Sequence, residues 1–197
     1  MKRLLGKTGW AVPCMRVITG TARGRRLQSL KGQKTRPTQD RVKESLFSIL
    51  GTVMVEGDFL DLYAGSGSIG IEALSRGAPK AVFVEKNKTA VQVIKSNLVH
   101  VGLEHKAEVY ATDVFRGIGA LIAREREFSC IFLDPPYDQD MVVPTLVALK
   151  APLVTSQTII VAEHSRLEVS PEHVGPFVRI RQQVYGDTVL SFFRHQV

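Results

Sequence analysis

The stretch Phe59-Leu60-Asp61-Leu62-Tyr63-Ala64-Gly65-Ser66-Gly67-Ser68-Ile69-Gly70 decides the fold. Phe59–Tyr63 is an apolar run of strand length, and Ser68–Arg76 reads as a helix. The glycines between them form a G-x-G-x-x-G, which lets the backbone turn sharply into the helix and come close to a ligand. Outward from this unit the alternation repeats. Strands are expected at Ala81–Glu85, Ala107–Ala111, Phe128–Leu133 and Thr158–Ala162, and helices at Thr89–Val101, Val114–Arg124 and Met141–Lys150. Short strand–helix connections predict an α/β fold, a parallel sheet covered on both faces. The tail differs: Phe177–Tyr185 and Thr188–Phe193 flank Gly186-Asp187, a two-residue hairpin signal. Seven strands are expected, five parallel and a closing antiparallel hairpin.

Upstream, charge is segregated. Of the 197 residues, 1–50 carry 12 Lys/Arg against 2 Asp/Glu, while 51–197 are slightly acidic, for a total of +7. A basic stripe joined to a near-neutral body is the electrostatic footprint of a polyanion partner, most often nucleic acid. A membrane surface is disfavoured, because no amphipathic helix pairs the charges with a large apolar face. No apolar run approaches the roughly 20 residues of a membrane span. Short β-like pieces, Arg16–Thr19 and Arg26–Leu30, separated by Gly20, Gly24 and Gly32, read as a small hairpin-like appendage. Pro37-Thr38 opens a helix carrying Val42, Leu46, Ile49 and Leu50 on one face, and Gly51 closes it. The division expected is a dispensable leader over 1–14, a basic appendage with its leading helix over 15–50, and the α/β domain over 51–197. Cys14 and Cys130 make no disulfide framework, so reduced thiols in a cytoplasmic protein are expected.

Asp61 separates the glycine loop from a dinucleotide site. A pyrophosphate on that loop would be opposed by a carboxylate four residues before Gly65. S-Adenosylmethionine instead brings an ammonium and a sulfonium, which Asp61 can attract, with Tyr63, Gly65, Ser66, Gly67 and Gly70 shaping the loop around it. Glu85, at the end of the second strand, can accept both ribose hydroxyls, although NAD proteins use the same device. Asp113 can accept from the adenine amino group with Val114 against the ring, and it serves equally well as a helix N-cap.

Asp134-Pro135-Pro136-Tyr137 follows the fourth strand. Two prolines stiffen the turn. The Asp134 carboxylate and the Pro135 carbonyl offer two acceptors, and Tyr137 offers a stacking plate, a set suited to a planar group with an exocyclic amine. Asp61, Glu85, Asp113 and Asp134 then form a row of acidic strand ends. The five histidines lack metal-ligand spacing, so no metal is expected, and His164 reads as a strand-end polar residue.

Together these segments resemble the RsmD-type family of class I methyltransferases, which has this seven-strand plan and methylates the exocyclic N2 of a guanine in bacterial 16S rRNA. The resemblance rests on Arg16-Val17-Ile18-Thr19-Gly20, Gly24-Arg25-Arg26-Leu27, Thr35-Arg36-Pro37-Thr38-Gln39-Asp40-Arg41-Val42-Lys43-Glu44-Ser45-Leu46-Phe47, Asp61–Gly70, Asp134–Tyr137 and Tyr185-Gly186-Asp187-Thr188. It implies S-adenosylmethionine as cofactor and Asp134, Pro135 and Tyr137 as catalytic residues. The partner it implies is 16S rRNA in the small subunit or an assembly intermediate. Arg16, Arg23, Arg25, Arg26, Arg36 and Arg41 are then candidates for RNA contact, with Arg36 or Arg41 able to serve the active site instead. Three other readings stay open: an amino-methyltransferase acting on adenine or cytosine in DNA or another RNA, an NAD(P)-dependent oxidoreductase, and a noncatalytic RNA-binding module.

Overall fold

The computed structural model describes residues 15–30, 37–136, 139–168 and 170–196. The leader with Cys14, and also Arg36 and Tyr137, lie outside the described residues. The strands are β1 (Phe59–Leu62), β2 (Ala81–Val84), β3 (Ala107–Tyr110), β4 (Cys130–Leu133), β5 (Ile159–Ser165), β6 (His173–Val174), β7 (Phe177–Tyr185) and β8 (Thr188–His195). The helices are α1 (Pro37–Leu50), α2 (Ser68–Ser75), α3 (Lys88–Val101), α4 (Val114–Ile122) and α5 (Val142–Ala148). One sheet runs in the order β3-β2-β1-β4-β5-β8-β7-β6, the first five strands parallel and the rest antiparallel. The expected seven strands are present. The eighth, β6, is a two-residue strand on the outer edge of β7, too short to show as a period in sequence.

The alternation of side chains builds two cores. Phe59, Phe83, Phe132 and Val161 join residues of α1, α2 and α3 on one face. Leu60, Val82, Ile131 and Ile160 join residues of α4 and α5 on the other. Each fully buried Phe or Leu contributes about 1.5–3 kcal/mol, so the two-sided burial fixes strand register. Gly51 closes α1 in the left-handed region, its N–H reaching the Phe47 carbonyl. Tyr185 and Thr188 pair across the two-residue turn that joins β7 to β8.

The appendage is a looser hairpin than its sequence suggests, with Arg16 and Arg26 forming a single antiparallel bridge. Val17 and Leu27 N–H still donate across it, to the Arg25 and Met15 carbonyls at 3.0 and 2.8 Å, while three other backbone donors go to side chains of α2. The Ile18 and Thr19 N–H groups donate to Glu72 at 2.8 and 2.9 Å, and Ala22 N–H donates to Ser75 Oγ at 2.9 Å. Gly20 is required at this junction, since a Cβ there would lie 1.8 Å from the Ser75 carbonyl oxygen. Val17, Ala22 and Leu27 bury into the same cluster as Phe59 and Ile71.

Candidate active site

Alternation sends Asp61 to the same side as Phe59, under α2. It is buried, and its Oδ2 accepts the Gly70 N–H at 2.9 Å. Gly70 makes that approach possible, because a Cβ there would sit 2.3 Å from the Phe83 ring. Burial pushes the Asp61 pKa up to about 8; the Gly70 bond opposes the rise and the Glu85 charge adds to it. Glu85 holds the glycine loop from the next strand, its Oε2 accepting Gly65 N–H at 2.8 Å and its Oε1 accepting Asn87 N–H at 2.7 Å. Both oxygens keep lone pairs for a ligand's hydroxyls. Gly65 and Gly67 have φ of 54° and 78°, the left-handed turn that glycine makes without strain.

The other donor-side candidates divide. Ser66 is buried, its hydroxyl against Met15 Sδ at 3.3 Å and its carbonyl accepting from Asn97 at 3.0 Å, so it anchors the loop to the appendage and α3. Tyr63 leaves the strand at φ 61°. Its hydroxyl donates to Thr145 Oγ1 at 2.7 Å, and Thr145 donates to the Met141 carbonyl. Asp113 caps α4, accepting Arg116 N–H at 3.1 Å, with Val114 buried beside it.

Register shows where the acids stand. Leu62 pairs with Val84 and with Leu133, and Leu133 with Ala162. The next positions, Tyr63, Glu85, Asp134 and Glu163, therefore share one level. Asp61 sits two residues below it inside β1, and Asp113 three residues beyond the end of β3. The expected row of four is thus a staggered group, with Glu163 added. Asp134 is half-buried with Pro135 buried after it. Desolvation raises its pKa well above the usual carboxylate range, and the charges of Glu163, Asp61 and Glu168 push it further. Among the described residues, no Lys or Arg forms an ion pair with Asp61, Glu85 or Asp134. The strand ends bring Asp61, Glu85 and Asp134 to the sheet's C-terminal edge, the candidate pocket. A ligand carrying an ammonium, a sulfonium and two ribose hydroxyls would complement these carboxyl groups. No group of three or more metal-ligating side chains occurs among the described residues. His164 is buried between Ser191 Oγ at 2.9 Å and the Ser165 carbonyl at 2.8 Å, as a satisfied polar residue.

The described candidate arginines do not converge. α2 starts at the mouth and runs back for about 12 Å, and the appendage lies along it. Arg16 stands at the mouth end, its Nε 3.5 Å from Asp40 and its carbonyl bound by Lys43 Nζ at 2.6 Å; Arg26 bridges to it. Arg41, on α1, is exposed near the same end. Arg23 and Arg25 lie at the far turn, where Arg25 donates to the His100 carbonyl at the C-terminus of α3.

Two further residues join these parts. Buried Lys43 reaches Glu72 at 3.4 Å and Ser68 Oγ at 3.2 Å. Burial lowers its pKa, and Glu72 opposes the fall. Glu72 also takes Arg76 Nε at 2.8 Å. Removing one partner of a buried pair costs about 3–5 kcal/mol. Sequence held a signal for both: Lys43 falls at core spacing with Leu46 and Leu50, and Glu72 is the one charged residue of the stretch Ser68–Ser75. Ser45 hydrogen-bonds the Tyr185 hydroxyl, so two distant motifs meet at the mouth.

This fold with this pocket defines a class I methyltransferase, the class that uses S-adenosylmethionine. A family model described as conserved hypothetical protein 95 matches residues 15–194, and the chain belongs to that family, the RsmD family. YlbH of Bacillus subtilis, a candidate rRNA methyltransferase, is 42% identical over 91% of this chain and 98% of its own. The ribosomal RNA small subunit methyltransferase D of Haemophilus influenzae is 38% identical over 62% of this chain and 64% of its own. The solved structure of the Escherichia coli candidate methyltransferase yhhF superposes with a TM-score of 0.79 at 29% identity, covering 92% of this chain and 97% of that one.

Proposed function

We propose that this protein transfers a methyl group from S-adenosylmethionine to the exocyclic N2 amine of a guanine in small-subunit (16S) rRNA, in the subunit or an assembly intermediate. The observation that carries the reading is Asp134, half-buried at the end of β4, level with Glu85 and followed by Pro135. The basic charge of residues 1–50 and relatives named for ribosomal RNA methylation support an RNA substrate.

Asp61 would hold the donor's ammonium, Glu85 its ribose hydroxyls, and Asp113 with Val114 its adenine. Bound there, the donor supplies an electrophilic methyl on sulfur. Asp134 and the Pro135 carbonyl accept hydrogen bonds from the two amine N–H groups and aim the nitrogen lone pair, so the gain is mainly one of orientation, and Tyr137 stacks on the base. As the carbon–nitrogen bond forms and the carbon–sulfur bond breaks, nitrogen becomes positive. Asp134 stabilises that charge and, its pKa being raised, is a good acceptor for the released proton. Arg16, Arg26 and Arg41 at the mouth would meet phosphates.

The test is incubation with labelled S-adenosylmethionine and undermethylated small subunits, followed by nucleoside analysis. N2-methylguanosine is the expected product. Label on an adenine or cytosine amine would assign the pocket to another base.

A further inference from the structure

We propose that Leu167, at the tip of the turn after β5, is the apolar wedge that fills the gap in the RNA stack when the target base enters the pocket. The inference rests on the nucleobase reading above and deepens it. Leu167 is 90% exposed, against 64% for Val99, the next most exposed large apolar side chain among the described residues. Exposed apolar residues are common singly. This one is set apart by how firmly it is presented and where.

The Arg166 N–H donates to the Asp187 carbonyl at 2.8 Å, the Leu167 N–H to Ser165 Oγ at 3.2 Å, and the Glu168 N–H to the Ser165 carbonyl at 3.1 Å. Beneath, Ser191 Oγ collects His164 at 2.9 Å, Gln182 at 3.1 Å and Ser170 at 3.2 Å. A turn tied at both levels keeps its tip in solvent.

The sheet places that turn beside the acceptor, on the same C-terminal edge. β5 neighbours β4 and runs on to Ser165, two residues beyond Glu163, which shares the level of Asp134. The turn therefore begins about 7 Å above the level of Asp134, one strand spacing of about 5 Å to its side. Exposed Arg166, next to Leu167, stands where a phosphate flanking the extruded nucleotide would lie. Enzymes that extrude a base must hold open a step whose stacking they have broken, and an inserted aliphatic side chain does so without hydrogen-bond demands.

The experiment compares single-turnover methyl transfer by wild type, Leu167→Ala and Leu167→Met. It uses two substrates: undermethylated small subunits, and a short unstructured RNA carrying the guanine that wild type modifies. On subunits Leu167→Ala should be slower by about tenfold or more, and on the unstructured RNA by about twofold at most, since no stack remains to open. Leu167→Met should keep most of the subunit rate. Equal rates on subunits, or an equal loss on both substrates, would overturn the wedge while wild-type activity leaves the guanine reading standing. A wild type that methylates guanine in neither substrate would remove the guanine reading, and the wedge with it.

Discussion

The two halves of the sheet's C-terminal edge handle negative charge in opposite ways. Over β1 and β2, Asp61 and Glu85 are tied by the N–H groups of Gly70, Gly65 and Asn87, so their positions are set before a ligand arrives. Over β4 and β5, Asp134 stands with Glu163 and Glu168 close enough to push its pKa up. The first half is a receptor of fixed shape. In the second, desolvation and like charges favour the protonated carboxyl, so Asp134 is a ready proton acceptor. Binding should therefore fail through the first half and chemistry through the second.

The largest effect is expected at Asp134. Asp134→Ala should slow single-turnover methylation by about 100-fold or more, in the range for losing one preorganised electrostatic partner, and Asn should retain more activity. Donor affinity measured by calorimetry should change little. A parallel loss of affinity would erase the distinction between the halves.

Gly70→Ala sharpens it from the other side. The new Cβ meets the Phe83 ring, and overpacking of that kind costs about 1–3 kcal/mol. Urea unfolding should show the loss, together with weakened donor binding as α2 shifts from Asp61. Unchanged stability would mean that the helix–strand contact is slack.

The arginines should give the smallest effects. Arg16→Ala and Arg26→Ala should each weaken RNA binding about threefold and lower the salt slope by about one. Arg25→Ala should leave the slope unchanged, because its guanidinium lies at the far turn beside the end of α3, away from the mouth. A slope change for Arg25 alone would place RNA along the far end of the appendage.

Much of the fold was legible because strands buried on both faces read as apolar runs and the glycine loop marks its own turn. What was not legible came from partners distant in sequence. Tyr63 leaves β1 early with its hydroxyl on Thr145, 82 positions away. β5 runs past Ala162 because β8 pairs with it as far as Ser165. The appendage arginines look equivalent as a list of charges, yet α2 separates them into two ends. Lys43 and Glu72 were visible only as polar residues at core spacing, and their roles come from each other.

Asp61 offers the most direct test. Its carboxyl is raised above its unfolded value of about 3.9, so the folded chain holds the extra proton. Stability should fall as pH rises from about 4 to 8 and level off above that. A bound ammonium favours the ionised form, so donor binding below pH 8 should release a proton. The decisive measurement is calorimetric titration with S-adenosylmethionine at pH 6, 7 and 8, in buffers of different ionisation enthalpy. Wild type should bind more tightly as pH rises towards 8 and release up to one proton. Asp61→Asn should bind about tenfold more weakly with no such release, the loss of one charge-assisted contact. Proton uptake, pH-independent binding, or preference for NAD over the methyl donor would contradict the account.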